Sequence, residues 1–505
     1  MKSLSSFFPK TKSSFENISV LVLFFLGILL RFRQYFTGRS LWVDEAMLAL
    51  NIVNRNFAGL FRPLDYDQGA PIGFLLVEKV FNLLFGRNEY SLRLFPLLLG
   101  LLSLWLFYLL LKRFTSGAAL FIAFALFAIN PRLIYYSSEV KQYIADVVVT
   151  IILLLVALQV FERPSRKSLS LLAIAGLLAL WFSHPSLFIL AGIGITLFFL
   201  YLQKRDYANL GLVTGMGILW LANIGLLYSL TLGDLSQNSY MREYWQGAFA
   251  PMPPWLEWDW YLTGIQKNMD THFAITHVAW IAMLLMLAGW IILFRTRRLF
   301  AIVLVWIFSI TLLASFLQLY PSLERMVLFL VPIWLLLIGI LLGFFNQNLR
   351  ARPILSTLSM LLISGYFFYG AIPRTLEQFI SPKYFEHIHP SMEYLKESWR
   401  EGDAMFITNG AVPAFEYYAP IYGLEGVSYT SSKRKDYENP DVILQQLESL
   451  DGSNRVWILM SHVYEKGDFN EKDILLGFLH KIGNEKREFR EPGTSVYLYR
   501  YDLSE

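Results

Sequence analysis

The chain has 505 residues, of which 55% are hydrophobic and 16% charged, and its formal net charge is +4. So apolar a composition over this length excludes a soluble globular protein and indicates many membrane-spanning helices. The basic residues lie in short clusters between apolar runs, a pattern typical of membrane-topology signals rather than of a nucleic-acid-binding surface. The chain has no cysteine, which excludes disulfides and thiolate metal sites.

The first apolar run begins at residues 18–30, extends to about Phe36, and is followed by an acid pair, Asp44 and Glu45, in the sequence LWVDEAML. The tail before this run carries three lysines, so the positive-inside rule predicts a cytoplasmic amino terminus and an external acid pair. The run lacks a small-residue cleavage site and is therefore predicted to be a retained span. Carboxylates so close to the hydrocarbon of the membrane cost free energy, so the acid pair is predicted to have a chemical role. The alternative is a solvated loop pair or a helix-start cap.

Ten further apolar runs have the length of a membrane-spanning helix, which gives about eleven spans. They lie at residues 91–111, 117–134, 143–161, 168–183, 187–202, 208–230, 274–294, 299–319, 326–345 and 353–372. Five basic clusters all fall on the predicted cytoplasmic side, at residues 112–113, 163–167, 204–205, 295–298 and 350–352. The two short runs beside SHPS (183–186) are alternatively one long kinked helix, and every later segment would then be inverted.

The long connections, 37–90 and 231–273, and everything after about residue 372 fall on the predicted outer side. The first contains amphipathic runs that suit interfacial helices. Within the second, residues 240–260 form an aromatic segment rich in tryptophan and proline. That aromatic segment is interpreted as an anchor belt, or alternatively as a lid over a lipid or sugar. We predict a membrane domain over 1–372 and a soluble extracytoplasmic α/β domain over 373–505. In the latter, DAMFITN, RVWILMS and SVYLYRY predict strands, and MEYLKESW and EKDILLGFLHKI predict helices.

A second polar constellation lies in YYSSEVKQYIADVVV, at the start of the fourth predicted span. If that helix begins near Glu139, then Glu139, Tyr143 and Asp146 share one face at positions i, i+4 and i+7. Lys141 lies elsewhere on the same turn and is placed to reach an anion. Asp146 would be costly without a polar cavity or a partner, and a buried pairing that fixes helix packing is the alternative.

Other polar positions carry weaker signals. His184 lies in SHPS, and Glu324 and Arg325 stand together at the head of a later span. His387 and His389 in HIHP have no further ligands nearby in the sequence, so they are interpreted as ordinary loop residues rather than as a metal site. The sequence after residue 373 contains no metal-ligand spacing and no phosphate-binding glycine motif.

Several segments of the chain, taken together, resemble a known group of enzymes. The sequences LWVDEAMLAL, DYDQGAPIGFLLVEKVFNLLFGRNEYSLRLFPLLLGLLSL, YYSSEVKQYIADV, WFSHPSLF and PSLERMVLFLVP together resemble the multi-spanning glycosyltransferases of the GT-C superfamily. Within it, the motifs most resemble the bacterial branch of glycosyltransferase family 39, and they are similar to those of protein O-mannosyltransferases and lipid A aminoarabinose transferases. The resemblance covers residues 15 to about 345, and the remainder only in general layout.

The resemblance implies an inverting transfer of a sugar, hexosyl or pentosyl, from a polyprenyl-phosphate carrier to an acceptor hydroxyl on the outer side of the membrane. Asp44 would be the catalytic base with Glu45 as its neighbour, and Glu139 is the next acid predicted to border the same external cavity. The candidate phosphate and substrate-binding residues are Lys141, Arg93, Arg325, Tyr143 and His184. In one departure, Ala70 precedes Pro71, where aminoarabinose transferases have lysine. Another cation must then bind the donor phosphate.

The expected partners are the lipid-linked sugar donor, a protein, lipid or glycan acceptor, and membrane lipids, with no nucleic acid. We expect no cofactor and no metal, and a multi-pass location in the cytoplasmic (inner) membrane. The alternative function is a polytopic transporter or lipid flippase. That class more often has paired halves with similar interrupted helices, which this sequence lacks.

Overall fold

The computed structural model describes residues 14–503 apart from 349–351, 383, 434–439, 449, 451 and 467–468. The amino-terminal lysines and Arg350, which entered the topology prediction, lie outside the described residues. Two compact units are formed. Unit 1 comprises Met1–Thr37, Phe57–Leu84 and Arg93–Ser381, and unit 2 comprises Gly38–Asn56, Phe85–Leu92 and Pro382–Glu505. The segment with the acid pair therefore belongs to the same unit as the carboxy-terminal residues.

Helices dominate the described chain. In chain order they are α1 (Ser14–Tyr35), α2 (Val43–Asn54), α3 (Ile72–Phe85), α4 (Glu89–Leu111), α5 (Gly117–Ala128), α6 (Pro131–Tyr136), α7 (Tyr143–Glu162), α8 (Arg166–Phe182), α9 (Ser186–Gln203), α10 (Tyr207–Leu227), α11 (Gly233–Gln237), α12 (Ser239–Tyr244), α13 (Trp258–Phe273), α14 (Ala279–Thr296), α15 (Arg298–Phe316), α16 (Val331–Asn348), α17 (Pro353–Ile380), α18 (His389–Ser398), α19 (Val412–Tyr422), α20 (Pro440–Glu448) and α21 (Glu471–Ile482). A 3₁₀ segment, Glu324–Leu330, leads directly into α16.

Within the described residues, 9 helices are long and apolar enough to cross a membrane. The other two predicted spans, 117–134 and 168–183, are also helical but shorter. The first is interrupted at Asn130, which caps α6. The Asn130 side chain accepts hydrogen bonds from the backbone N–H groups of the second and third residues of α6, and proline occupies the first position of that helix. The second is α8, of 17 residues. The final helix, α17, continues to Ile380 rather than ending near residue 372.

The runs on either side of SHPS form two helices, α8 and α9, and not one long kinked helix. The ring of Trp220, in α10, lies against Gly176 of α8 and also against Gly194 of α9. Along one continuous helix these glycines would be about 27 Å apart at 1.5 Å per residue, far more than an indole ring spans. The chain therefore turns back on itself at Ser183–Pro185.

The centre of unit 1 is α16, whose residues from Val331 to Gly343 are all buried. It packs against α5, α7, α14 and α17. Gly289 of α14 is needed at one crossing, because a Cβ there would collide with the backbone carbonyl of Leu337. A helix that is apolar all round and enclosed by other helices is the expected centre of a membrane bundle.

Unit 2 contains a five-stranded sheet with strand order β2-β1-β3-β7-β6. Its strands are β1 (Ala404–Ile407), β2 (Thr430–Ser431), β3 (Val456–Met460), β6 (Asn484–Phe489) and β7 (Tyr497–Asp502), while β4 (Glu465–Lys466) and β5 (Phe469–Asn470) form a separate pair. β1 is parallel to β2 and β3, and β7 is antiparallel to β3 and β6. All residues of β3 are buried, as expected for a central strand covered on both faces.

The predicted fold class, a polytopic helical membrane protein with a carboxy-terminal α/β region, is confirmed. The sequences predicted to form strands contain β1, β3 and all of β7 except Asp502. Of the two sequences predicted to be helical, one coincides with α21, and the other overlaps α18 from Met392 to Ser398. The side of the membrane on which the α/β region lies stays a prediction, as does the proposed domain boundary at residue 373.

Candidate active site

The acid pair lies in the first turn of α2, where negative charge is favoured by the positive end of the helix dipole. Its two members have different surroundings, because consecutive helical residues point about 100° apart. Glu45 is fully buried and forms an ion pair with Arg39, Nη1 to Oε2, at 3.3 Å. Asp44 is only partly buried. Of the pair, Asp44 is thus the carboxylate that remains accessible.

Residues after Pro382 hold the start of α2 in place. The backbone N–H of Val43 donates to Glu386 Oε2 at 2.7 Å, and that of Leu41 donates to the Tyr418 hydroxyl at 2.8 Å. The Ser40 hydroxyl accepts hydrogen bonds from two backbone N–H groups at the start of α18. The segment before Asp44 is therefore fixed through the backbone N–H groups of Leu41 and Val43 and through the Ser40 side chain.

The two histidines of HIHP take part in this support. His387 Nδ1 accepts a hydrogen bond from the backbone N–H of Ser40 at 3.1 Å. His389 Nε2 lies 2.6 Å from Glu89 Oε1, which also accepts a hydrogen bond from the Tyr418 hydroxyl at 2.5 Å. Among the described residues, no group of three or more histidines and acids is arranged to hold a metal ion. His387 and His389 therefore have specific hydrogen-bond partners, which the sequence analysis did not predict.

A residue that the sequence did not single out, His462, lies near Asp44. It follows β3, and its Nδ1 donates to Glu386 Oε1 at 2.7 Å. The pKa of His462 is raised, first by this hydrogen bond and then by the negative charges of Glu386, Asp44 and Glu471, against an opposing effect of burial. Its sequence signal was its position two residues after the end of a buried strand.

In unit 1, the constellation around Glu139 has a different local structure from the one predicted. α7 begins at Tyr143, and Glu139 precedes it in a tight turn in which the N–H of Lys141 bonds to the Glu139 carbonyl at 2.7 Å. Glu139, Tyr143 and Asp146 therefore do not share a helical face. Asp146 lies in the first turn of α7, not two turns into it, with the Ser183 hydroxyl beside its carboxyl.

Lys141 is buried, and its Nζ donates to Gln68 Oε1 at 2.6 Å. The neighbouring Gln142 side chain donates to the Gly69 carbonyl at 3.4 Å. The turn before α7 thus packs on the QGAP segment, close to Ala70. Sequence reasoning noticed Ala70 but missed Gln68, because nothing in the local pattern connects residues so far apart in the chain.

Several of the predicted substrate residues surround Tyr136. Its ring lies edge-on to that of Tyr143, with centroids 5.0 Å apart. The pKa of Tyr136 is raised, first by burial and then by the Glu139 carboxylate, while Arg325 opposes this effect. Arg325 also lies 5.3 Å from the ring centroid of Trp245, a cation–π contact with the aromatic segment. The structure therefore gathers Glu139, Tyr143 and Arg325 in one region.

The remaining two predicted residues lie elsewhere on the scaffold. His184 occupies the turn between α8 and α9, where burial lowers its pKa to about 4 and so keeps the imidazole neutral near pH 7. It follows Ser183, the neighbour of Asp146. Arg93 is almost fully buried in α4. A buried guanidinium is costly unless it is hydrogen-bonded or paired.

Comparison with known proteins shows which solved structures share this fold and which family model the sequence matches. The family model described as dolichyl-phosphate-mannose-protein mannosyltransferase matches residues 69–228. ArnT from Cupriavidus metallidurans in the apo state superposes with a TM-score of 0.56 at 13% identity, over 96% of this chain and 98% of that one. The chain has the GT-C fold. The GT-C fold predicted from the motifs is thereby confirmed, whereas the narrower branch stays a prediction.

Two further structures share the GT-C fold. ArnT from Cupriavidus metallidurans bound to undecaprenyl phosphate has a TM-score of 0.55 at 13% identity, over 95% of this chain and 97% of that one. The Archaeoglobus fulgidus oligosaccharyltransferase, in complex with Zn and sulfate, has a TM-score of 0.55 at 14% identity, over 96% of this chain and 73% of that one. No curated protein matches the chain in sequence.

Proposed function

We propose that this GT-C protein is an inverting glycosyltransferase that moves a sugar from a polyprenyl-phosphate carrier to an acceptor hydroxyl on the outer face of the cytoplasmic membrane. The observation that carries the proposal is a fold match over nearly the whole length of both chains to an ArnT structure that holds undecaprenyl phosphate. The matching family model also names a lipid-phosphate sugar, dolichyl-phosphate-mannose.

The chemistry needs a base and a cation. The acceptor oxygen attacks the anomeric carbon on the face opposite the phosphate, and the bond from that carbon to the phosphate oxygen breaks as the new bond forms. A carboxylate takes the hydroxyl proton, and the lipid phosphate leaves with the bonding electrons. Positive charge near the phosphate stabilises the transition state. A single displacement of this kind inverts the anomeric configuration.

Asp44 is our candidate for the base. Its carboxylate is partly exposed, whereas the Glu45 carboxylate is buried against Arg39 and so is poorly placed to meet an acceptor. Glu139 remains the second candidate, although its side chain is almost completely buried. An accessible carboxylate on a backbone held by hydrogen bonds is what proton abstraction at a fixed position requires.

Lys141 is our first candidate for the phosphate cation. Its amino group contacts Gln68, two residues before the alanine that stands where aminoarabinose transferases carry a lysine. A positive charge is therefore present at this segment although the motif lysine is absent. Arg325 and Arg93 are further candidate phosphate ligands, and Tyr143 is a candidate contact for the sugar. His184 is a further candidate, as a neutral hydrogen-bonding group.

We further propose that catalysis uses no metal and no cofactor, and that the transferred group is a hexosyl or pentosyl sugar. The acceptor is a protein, a lipid or a glycan. Mass spectrometry of the surface glycans and glycoproteins of a deletion strain would identify sugar and acceptor together, as the loss of one modification.

The direct test uses the purified protein with lipid-linked sugars extracted from its own membranes. Asp44→Asn keeps the shape of the side chain but removes the proton acceptor, so turnover should fall about 10²- to 10⁴-fold while donor binding survives. Asp65→Asn is a matched control, since Asp65 is an exposed acid in the same long connection. Near-complete activity of a folded Asp44→Asn protein would exclude Asp44 as the base.

The alternative, a transporter or lipid flippase, gives a different result. A transporter of soluble solutes should gain no thermal protection from undecaprenyl phosphate, whereas the proposed enzyme should. A flippase would bind the lipid but release no glycosylated product. Formation of a product by the wild-type protein, and its loss on Asp44→Asn replacement, therefore identifies the enzyme, and thermal protection by the lipid separates a flippase from a transporter of soluble solutes.

A further inference from the structure

We infer that Gln68 is a positioning residue for Lys141: its neutral amide oxygen holds the ammonium group in place for the lipid phosphate without cancelling its charge. The inference rests on the proposed function, in which Lys141 is the first candidate for the phosphate cation. It gives Gln68, which no sequence pattern singles out, a specific task in donor binding.

The contact between the two side chains is short. Lys141 Nζ donates to Gln68 Oε1 at 2.6 Å, and the Lys141 side chain is buried. The Gln68 amide is itself held, because its Nε2 donates to the Tyr66 carbonyl at 3.2 Å. Beside this contact, Gln142 donates to the Gly69 carbonyl at 3.4 Å. Gln68 therefore fixes the charged end of a lysine, whose four-carbon stem is otherwise flexible.

A neutral partner suits a cation that binds a phosphate. An ammonium group has three N–H donors, and the contact with Gln68 uses one of them. Because the amide oxygen is uncharged, the full positive charge of Lys141 still acts on an anion. A carboxylate at position 68 would bind the same amino group more strongly and would cancel that charge. Orientation without neutralisation is what the stabilisation of a leaving phosphate requires.

The turn that precedes Gln68 has an uncommon backbone. Tyr66 and Asp67 have φ values of 63° and 53°, in the left-handed region that residues other than glycine seldom adopt. Such a conformation costs free energy and persists where the surrounding structure imposes it. The carbonyl that accepts the Gln68 amide N–H belongs to this turn. The side chain of Gln68 is therefore bound to a backbone of one defined shape.

The turn is supported by the residue that begins α12. Asn238 Nδ2 donates to Asp67 Oδ1 at 2.6 Å, while Asn238 Oδ1 accepts the backbone N–H of Met241 and so caps α12. The two ends of one amide group thus join the turn to the first residues of that helix. Asn238 is an outer support for Gln68 and, through Gln68, for Lys141.

Two replacements at Gln68 separate position from charge. Gln68→Met keeps a side chain of similar length but removes the acceptor, whereas Gln68→Glu keeps an acceptor and adds a negative charge. The first measurement needs no donor: it is the rate at which sulfo-N-hydroxysuccinimide acetate acetylates Lys141 in the full-length protein, followed by peptide mass spectrometry. We expect acetylation at least about threefold faster in Gln68→Met, because a hydrogen bond to a charged group is lost. In Gln68→Glu, acetylation should be no faster than in the wild type.

The second measurement is the dissociation constant of undecaprenyl phosphate, determined by native mass spectrometry. Binding should weaken about tenfold in both variants, in Gln68→Met because the cation is no longer held and in Gln68→Glu because its charge is cancelled. A merely structural role of Gln68 does not give this pattern, since a disordered segment would let Lys141 react faster in both variants.

Asn238→Asp tests the outer support. Aspartate still caps α12, but it cannot donate to Asp67 and repels it. Acetylation of Lys141 should rise, though less than in Gln68→Met, and an unchanged rate would exclude Asn238 as a support. Asn209→Asp is the matched control, because it breaks the same kind of contact, Asn209 Nδ2 to Asp206 Oδ2 at 2.7 Å, at the start of α10. It should change neither measurement.

Unchanged acetylation of Lys141 in folded Gln68→Met protein would overturn the inference while leaving the proposed function intact. Wild-type affinity of Gln68→Glu for undecaprenyl phosphate would also overturn it, because the charge of Lys141 would then have no effect on the phosphate. If the wild-type protein does not bind the lipid but the acetylation rates still differ, the proposed function fails, whereas the hold of Gln68 on Lys141 stands.

Discussion

Replacement of Arg39 by methionine should strongly destabilise the segment 38–56, because it removes the cation paired with Glu45. Glu45 is fully buried and the Arg39 side chain is 6% exposed, so water cannot easily replace the lost charge. Removing one partner of a buried ion pair costs about 3–5 kcal/mol. The two groups are joined by a contact of 3.3 Å, longer than a strong charged hydrogen bond, so we expect the lower end, about 3 kcal/mol.

The cysteine-free chain allows this loss to be measured at one position. Ala49, fully buried in α2, is replaced by cysteine, and the rate at which a maleimide labels it reports the population of the opened segment. A loss of about 3 kcal/mol predicts labelling about 10²-fold faster than in the Ala49→Cys parent, since 1.36 kcal/mol is a factor of ten. Arg400→Met, which removes an exposed arginine of the same unit, is the control.

The double variant Arg39→Met, Glu45→Gln separates the ion pair from the packing of the arginine stem. Without the buried charge, most of the lost stability should return, and the labelling rate should fall back toward that of the parent. Labelling of the single Arg39→Met variant within threefold of the parent would refute the argument that this pair holds the segment.

Two further predictions concern the cations and the topology. Lys141→Gln and Arg325→Gln should each raise the apparent donor KM or lower turnover about tenfold or more, through lost charge stabilisation at the phosphate. Lys112→Gln, in an exposed basic cluster, serves as the control, and unchanged kinetics would mean that Lys141 and Arg325 only anchor the interface. A cysteine introduced by Ser431→Cys should react with an impermeant maleimide added to the outer face of intact spheroplasts. Reaction only after permeabilisation would reverse the predicted topology.

The sequence predicts the helices well, because long apolar runs have few alternatives in a membrane protein. The predicted helix boundaries were wrong where a local sequence signal was overlooked or absent. The interruption between α5 and α6 is encoded by Asn130 followed by proline, a helix-start signal that the apolar run obscured. The late start of α7 at Tyr143 has no comparable signal, since Glu139 and its neighbours are all compatible with a helix.

The candidate site was only partly accessible from the sequence. The acid pair was evident from its position after the first span. The partners that define its surroundings were not, because Glu386 and His462 lie more than three hundred residues from Val43 and belong to unremarkable local patterns. The difference in burial between Asp44 and Glu45 also depends on Arg39, which pairs with Glu45. Counting the charges in the sequence does not reveal this pairing.

Unit 2 is assembled from distant parts of the sequence, which has a consequence for biogenesis. Residues 38–56 leave the ribosome before most of unit 1 is made, yet the residues from Pro382 onward that complete their unit follow unit 1 in the sequence. At about 5–20 residues per second, the intervening stretch takes roughly 15–65 s to synthesise. During that interval the helices of unit 1 can insert, while the segment with Asp44 still lacks Glu386, Tyr418 and His462. The segment with Asp44 thus gains these contacts only after the residues from Pro382 onward have been made, and a chain truncated before Pro382 never gains them.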